Sequence, residues 1–144
     1  RPLRAMANFQ HNNSSSRHKK LLGEDRIDIY EKLKSNPNVD FKPVQHRSDY
    51  WKEHGEYSFV ISPSGRGFDS YRTWEALILG CIVIVKKLPI ESVYMDFPVV
   101  VVNDWSEITE QNLKMWKRHM LHNKYDSEMF KMAYWKKKFR EYKK

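Results

Sequence analysis

The sequence predicts an α/β fold, a mostly parallel, doubly wound sheet flanked by helices. Three observations point there. Short apolar runs of strand length recur, notably YSFVIS (57–62), CIVIVK (81–86) and VVVV (99–102). Helical patterns such as RIDIYEKLK (26–34) and YRTWEALIL (71–79) separate the runs, as βαβ crossovers require. The unbroken apolarity of 99–102 suits a strand buried on both faces, the usual condition in a parallel sheet.

In chain order, PLRAMANF (2–9) reads as a first strand, followed by the polar loop QHNNSSSR. Ser14, Ser15 and Ser16 offer capping oxygens for a helix beginning near Arg17. In RIDIYEKLK, Ile27, Tyr30 and Leu33 share a helical face, and Asn36-Pro37 stops the helix. VDFKPV (39–44) is a short edge strand, because Pro43 cannot donate to a ladder. Ser48 caps a short helix DYWKEH that Gly55 ends. Strand 57–62, loop PSGRGFDS (63–70), helix 71–79 with Gly80 as its stop, and strand 81–86 follow. Trp74, Leu77 and Ile78 are expected to pack on the sheet. After strand 99–102, DWSEITEQNLKMWKRHML (104–121) reads as one closing helix, with Asp104 as its cap and Trp105 in the core.

The 144 residues suit one domain, and 40% hydrophobic content supplies a core. No apolar run approaches the roughly 18–20 residues that span a bilayer. The sequence begins at Arg1 and carries no secretory signal, as expected of a processed or excised piece, so its compartment is left open. Cys81 is the single cysteine, which rules out an internal disulfide and any cysteine-cluster metal site. Within CIVIV it reads as a buried thiol. The six histidines show neither HxxxH nor HExxH spacing, so no metal and no cofactor are expected. His11, His46 and His54 read as solvated side chains.

The net charge of +8 is uneven: residues 1–113 carry fifteen basic and fifteen acidic side chains, and residues 114–144 carry eleven and three. Two segments follow: a sheet domain over 1–113 and a basic tail over 114–144. In SEMFKMAYWKKKFREYKK, Met132, Trp135, Phe139 and Tyr142 form one stripe of an amphipathic helix with lysines on its other faces. That stripe fits packing on this domain or on a missing partner half. A helix on an anionic membrane is the sharper alternative. No recognition motif accompanies the charge, so nucleic acid is not expected.

The loop SPSGRGFDS and the helix after it hold the candidate chemistry. In open parallel sheets, ligands sit at the carboxyl ends of strands, where loops lead into helix N-termini. Gly65 and Gly67 permit close backbone approach, and the unpaired N–H groups of a first helical turn favour an anion. Ser64, Gly65, Arg66, Gly67, Asp69 and Tyr71 line this turn. Arg72 lies in the first turn, where a cation opposes the helix dipole unless an anion is bound. Glu75 follows at i+3 on the same face, where a carboxylate can accept from paired sugar hydroxyls. A plain surface ion pair between Arg72 and Glu75 remains the alternative, and Asp69 reads first as a helix cap and second as a ligand contact. Lys86 and Lys87 end their strand on the same side. Neither GxGxxG nor GxxxxGK[ST] is matched, so neither a dehydrogenase nor a nucleoside triphosphatase follows.

The stretch YSFVISPSGRGFDSYRTWEALILGCIVIV (57–85), with FPVVVVNDWSEI downstream, resembles the C-terminal half of exostosin-like glycosyltransferases. Their pattern is a strand ending in S-P, then G-x-G-x-D-x-x-R-x-W-E-A-L-x-x-G-x-I-P-I-V. Ser62, Pro63, Gly65, Gly67, Asp69, Arg72, Trp74, Glu75, Ala76, Leu77, Gly80, Ile82, Ile84 and Val85 match it, and Val83 stands where proline is usual. ANFQHNNSSSRHKKL resembles the first strand and loop of the same half, with Arg17 in the place of its arginine. The resemblance spans roughly 4–110 and is strong at 57–85 and 98–108. It implies a Rossmann-like domain, the donor-binding half of a GT-B enzyme, that takes a UDP- or GDP-sugar. Arg72 and Arg17 would hold the diphosphate and Glu75 the ribose or sugar hydroxyls. A glycan acceptor and the catalytic base would then belong with an N-terminal half, and the setting would be a Golgi lumen or a viral or host cytoplasm.

Overall fold

The computed structural model describes residues 1–9, 19–20, 23–43, 47–64, 71–89 and 91–122. Five strands form one sheet: β1 (Ala5–Ala7), β2 (Val39–Phe41), β3 (Phe59–Ile61), β4 (Ile82–Lys86) and β5 (Val99–Val102). Their order is β2-β1-β3-β4-β5, and every pairing is parallel. The domain is therefore a Rossmann-like α/β unit. The chain runs from β1 to β2 on one side, then crosses back over β1 to β3 and continues outward. That reversal makes the carboxyl ends of β1 and β3 the topological switch point, the place where such sheets bind ligands.

Helices α1 (Arg26–Leu33), α2 (Arg47–His54), α3 (Tyr71–Ile78) and α4 (Glu110–His122) flank the sheet. The period-2 alternation of strand side chains divides the core into two layers. On one face Ala5, Ala7, Phe59, Ile61 and Ile84 pack with Ile29 and Leu33 of α1 and Leu113 of α4. On the other, Met6, Val60, Val83 and Val85 pack with Ala76 and Leu77 of α3. Helices on both faces make the sheet doubly wound. Asp25 starts α1 with a reciprocal cap: its carboxylate accepts from Asp28 N, and its own N–H donates to the Asp28 side chain, each at 2.9 Å. Gly80 ends α3 at φ +82°, a conformation that favours glycine, and Arg1 donates to Leu79 O and Gly80 O at 2.9 Å.

Several expectations need correction. Ile27 is 49% exposed, and α1 buries Arg26, Ile29 and Leu33 instead. The helix is turned by about one residue from the expected face, because the Arg26 side chain is drawn to the sheet. Ile78 is 63% exposed, and α3 seats Thr73, Ala76 and Leu77 on the sheet. Trp74 packs edge-on against Phe97. β5 is an edge strand with Val101 38% exposed, so it is covered fully on one face only. The closing helix is two elements: a 3-10 turn over Trp105–Glu107, capped by Asp104, then α4. Helix α2 begins at Arg47, so Ser48 lies inside it. His54 is fully buried, not solvated, and its carbonyl accepts from the buried thiol of Cys81 at 3.1 Å. Lys19 and Lys20 are helical, as expected of a helix beginning near Arg17, while Arg17 itself, His11, His46 and the tail stripe from Met132 to Tyr142 lie outside the described residues. No helix among the described residues is long and apolar enough to cross a membrane.

Candidate functional site

The switch-point crevice is built from the first residues beyond β1 and β3 and from the first turns of α1 and α3. Asn8 and Phe9 follow β1 and are buried. Ser62, Pro63 and Ser64 follow β3, and the Ser62 hydroxyl hydrogen-bonds the Thr73 hydroxyl at 2.8 Å within the interior. That bond fixes the start of α3 over the end of β3.

Arg72 reaches from α3 across to β1. Its Nε–H donates to Asn8 Oδ1 at 3.1 Å and its Nη2 to Asn8 O at 3.2 Å. Arg26, the first residue of α1, enters from the other side and is 3% exposed. Its Nε–H donates to Ser64 O at 3.0 Å and Nη2 to Pro63 O at 3.4 Å. Its guanidinium carbon lies 5.8 Å from the centre of the Phe9 ring. Burial, and then the charge on Arg72, lowers the Arg26 pKa from 12.5 to about 10. The guanidinium stays charged at neutral pH, at a cost of about 3 kcal/mol. Two cations thus converge on the crevice, each anchored partly through carbonyl oxygens. An acceptor-rich anion bound there would relieve their mutual repulsion.

Glu75 sits one turn beyond Arg72 and is half-buried, and Tyr71 is 87% exposed. Ser64 contributes its carbonyl to Arg26. Gly65, Arg66, Gly67, Asp69 and Arg17 lie outside the described residues.

Beside the crevice, at the carboxyl ends of β4 and β5, Glu24 gathers a second polar cluster. One carboxylate oxygen accepts from Lys86 Nζ at 2.6 Å and Trp105 Nε1 at 2.9 Å, the other from Lys32 Nζ at 2.8 Å. Burial pushes the Glu24 pKa up, but the hydrogen bonds from Lys32, Lys86 and Trp105 outweigh it and hold the carboxyl below its ordinary value. Lys86 is accordingly pinned to a carboxylate. A cavity of about 470 Å³ lined by Cys81, Pro98, Lys117 and Met120 lies at the opposite, amino edge of the strands, away from the converging arginines. Among the described residues no group of His, Cys, Asp or Glu is arranged to hold a metal.

Sequence reasoning missed Arg26, Asn8 and Glu24. The signal for Arg26 was present: like Arg72, it is a cation in the first turn of a helix, opposed to the dipole. Glu24 gave no local signal, because its Trp105 partner is 81 residues away. No known protein-family model matches the chain, and no curated protein matches it significantly.

Proposed function

We propose that this domain binds a nucleotide-diphosphate sugar at the switch point, as the donor-binding half of a two-domain GT-B glycosyltransferase. The observation that carries this is the convergence of Arg26 and Arg72 on the carboxyl ends of β1 and β3. The resemblance of residues 57–85 to exostosin-like enzymes supports it independently.

In this reading the two guanidiniums hold the diphosphate, and Glu75 accepts from hydroxyls of the ribose or the sugar. During transfer the bond from the anomeric carbon to the diphosphate oxygen breaks, and its electron pair leaves with the nucleoside diphosphate. A bond forms to the acceptor hydroxyl oxygen, whose proton passes to a base on the partner half. Arg26 and Arg72 stabilise the negative charge that develops on the departing diphosphate. Prepositioned charges of this kind lower a barrier without reorganising during the reaction. Titration of UDP and GDP into the protein tests the reading: heat of binding that disappears in Arg72→Ala supports it, and silence from both nucleotides opposes it.

A further inference from the structure

We propose that Asn8 positions Arg72 for the diphosphate and itself donates a hydrogen bond to it; this rests on the donor-binding reading above. Asn8 is the first residue beyond β1 and is 2% exposed. Both of its acceptors are engaged by one side chain: Oδ1 by Arg72 Nε–H at 3.1 Å, and the backbone oxygen by Nη2 at 3.2 Å. A guanidinium has donors only, so the orientation of the Asn8 amide is dictated by chemistry. Turning the amide over would set its NH2 against the Nε–H. The nitrogen therefore faces away from Arg72, and Nδ2 is buried with no hydrogen-bond partner among the described residues.

A buried donor without an acceptor is costly, and native proteins rarely keep one without a use. Here it belongs to the residue at the end of β1 that holds Arg72, a side chain that can only donate. The unpartnered Asn8 donor thus lies beside two guanidiniums, surroundings that suit a ligand carrying acceptors and negative charge. A diphosphate long enough to reach from Arg72 to the amide nitrogen would supply the missing acceptor. An alanine at position 8 would remove both functions at once, freeing the guanidinium from the strand end and deleting the third donor.

The test is calorimetric titration of inorganic pyrophosphate and UDP into wild type, Asn8→Ala, Arg72→Ala and the double variant, with nitrogen-15 spectra of the Arg72 Nε–H and Asn8 NH2 signals. Wild type should bind, and its Asn8 NH2 signals should shift on saturation with pyrophosphate. Asn8→Ala should move the Arg72 Nε–H signal and weaken pyrophosphate at least about tenfold, the scale of a lost hydrogen bond to a charged group. In the Arg72→Ala background the same change should weaken it less than in wild type, because the positioning role is already gone and only the donor is lost. If thermal melting shows Asn8→Ala unfolded, the wild-type Asn8 NH2 signals decide: signals that stay in place on saturation with pyrophosphate overturn the donor role. Wild-type binding that Asn8→Ala leaves within about twofold overturns the role of Asn8 and leaves the donor reading standing. Absence of any diphosphate binding to wild type overturns the donor reading itself.

Discussion

Arg26 and Arg72 converge on one switch point, closely enough that the charge on Arg72 adds to burial in lowering the Arg26 pKa to about 10. Like charges brought this close repel, and a bound anion would offset that repulsion. Replacing Arg26 by methionine should cost the ligand-free domain about 1–3 kcal/mol, because the Pro63 and Ser64 carbonyls lose their donor. The same change should weaken UDP at least about tenfold. Denaturant unfolding together with calorimetry separates the two effects. A large stability loss with unchanged UDP affinity would assign Arg26 to the fold alone.

Glu24 is the second commitment of charge to the interior. Its carboxyl is held below the ordinary value of 4.5, so it contributes stability above that pH and loses the contribution as pH falls through its folded value. Glu24→Gln should cost about 1–3 kcal/mol at pH 7, because Lys32 and Lys86 lose a charged acceptor. The variant's stability should also fall less steeply than wild type as pH drops from about 5 through the folded value of Glu24. Urea midpoints measured across that range would show parallel curves if Glu24 were energetically silent.

The hydrogen bond between Ser62 and Thr73 ties the end of β3 to the start of α3. Thr73→Val keeps the shape and strands the Ser62 hydroxyl in a buried setting. A loss of about 1–2 kcal/mol in chemical unfolding is expected. Because Arg72 is the adjacent residue, UDP affinity should drop as well. An unchanged unfolding midpoint would mean that the bond contributes nothing.

Burial raises the Cys81 thiol to a pKa of about 11, and its Sγ lies within reach of His54 O and Tyr57 O. At pH 8 only about one thiol in a thousand is then ionised, so an aromatic disulfide reagent should react only when the domain opens. Labelling should follow unfolding across a urea series. Complete labelling within seconds in native buffer would place this sulfur at the surface.

Much of the scaffold was legible because local pattern and final environment agree. YSFVIS and CIVIVK are apolar along their length and became β3 and β4, two of the three interior strands. VVVV looks the same as a sequence but lies at the sheet edge, because pairing order is set by crossovers that composition does not encode. At the site, Arg72 stood out through its glycine-rich loop. Arg26 was hidden inside RIDIYEKLK, a pattern that an ordinary surface helix also satisfies. Its burial depends on the carbonyls of Pro63 and Ser64, 37 and 38 residues on. The Glu24–Trp105 contact is longer in range still and has no local signature.

Calorimetric titration of UDP and GDP into the wild-type protein and into Arg26→Met and Arg72→Ala probes the paired guanidiniums most directly. Saturable binding of at least one nucleotide to wild type, weakened at least about tenfold by each substitution, is the predicted result. Binding that both variants retain at wild-type strength, or no binding of either nucleotide to wild type, would contradict it.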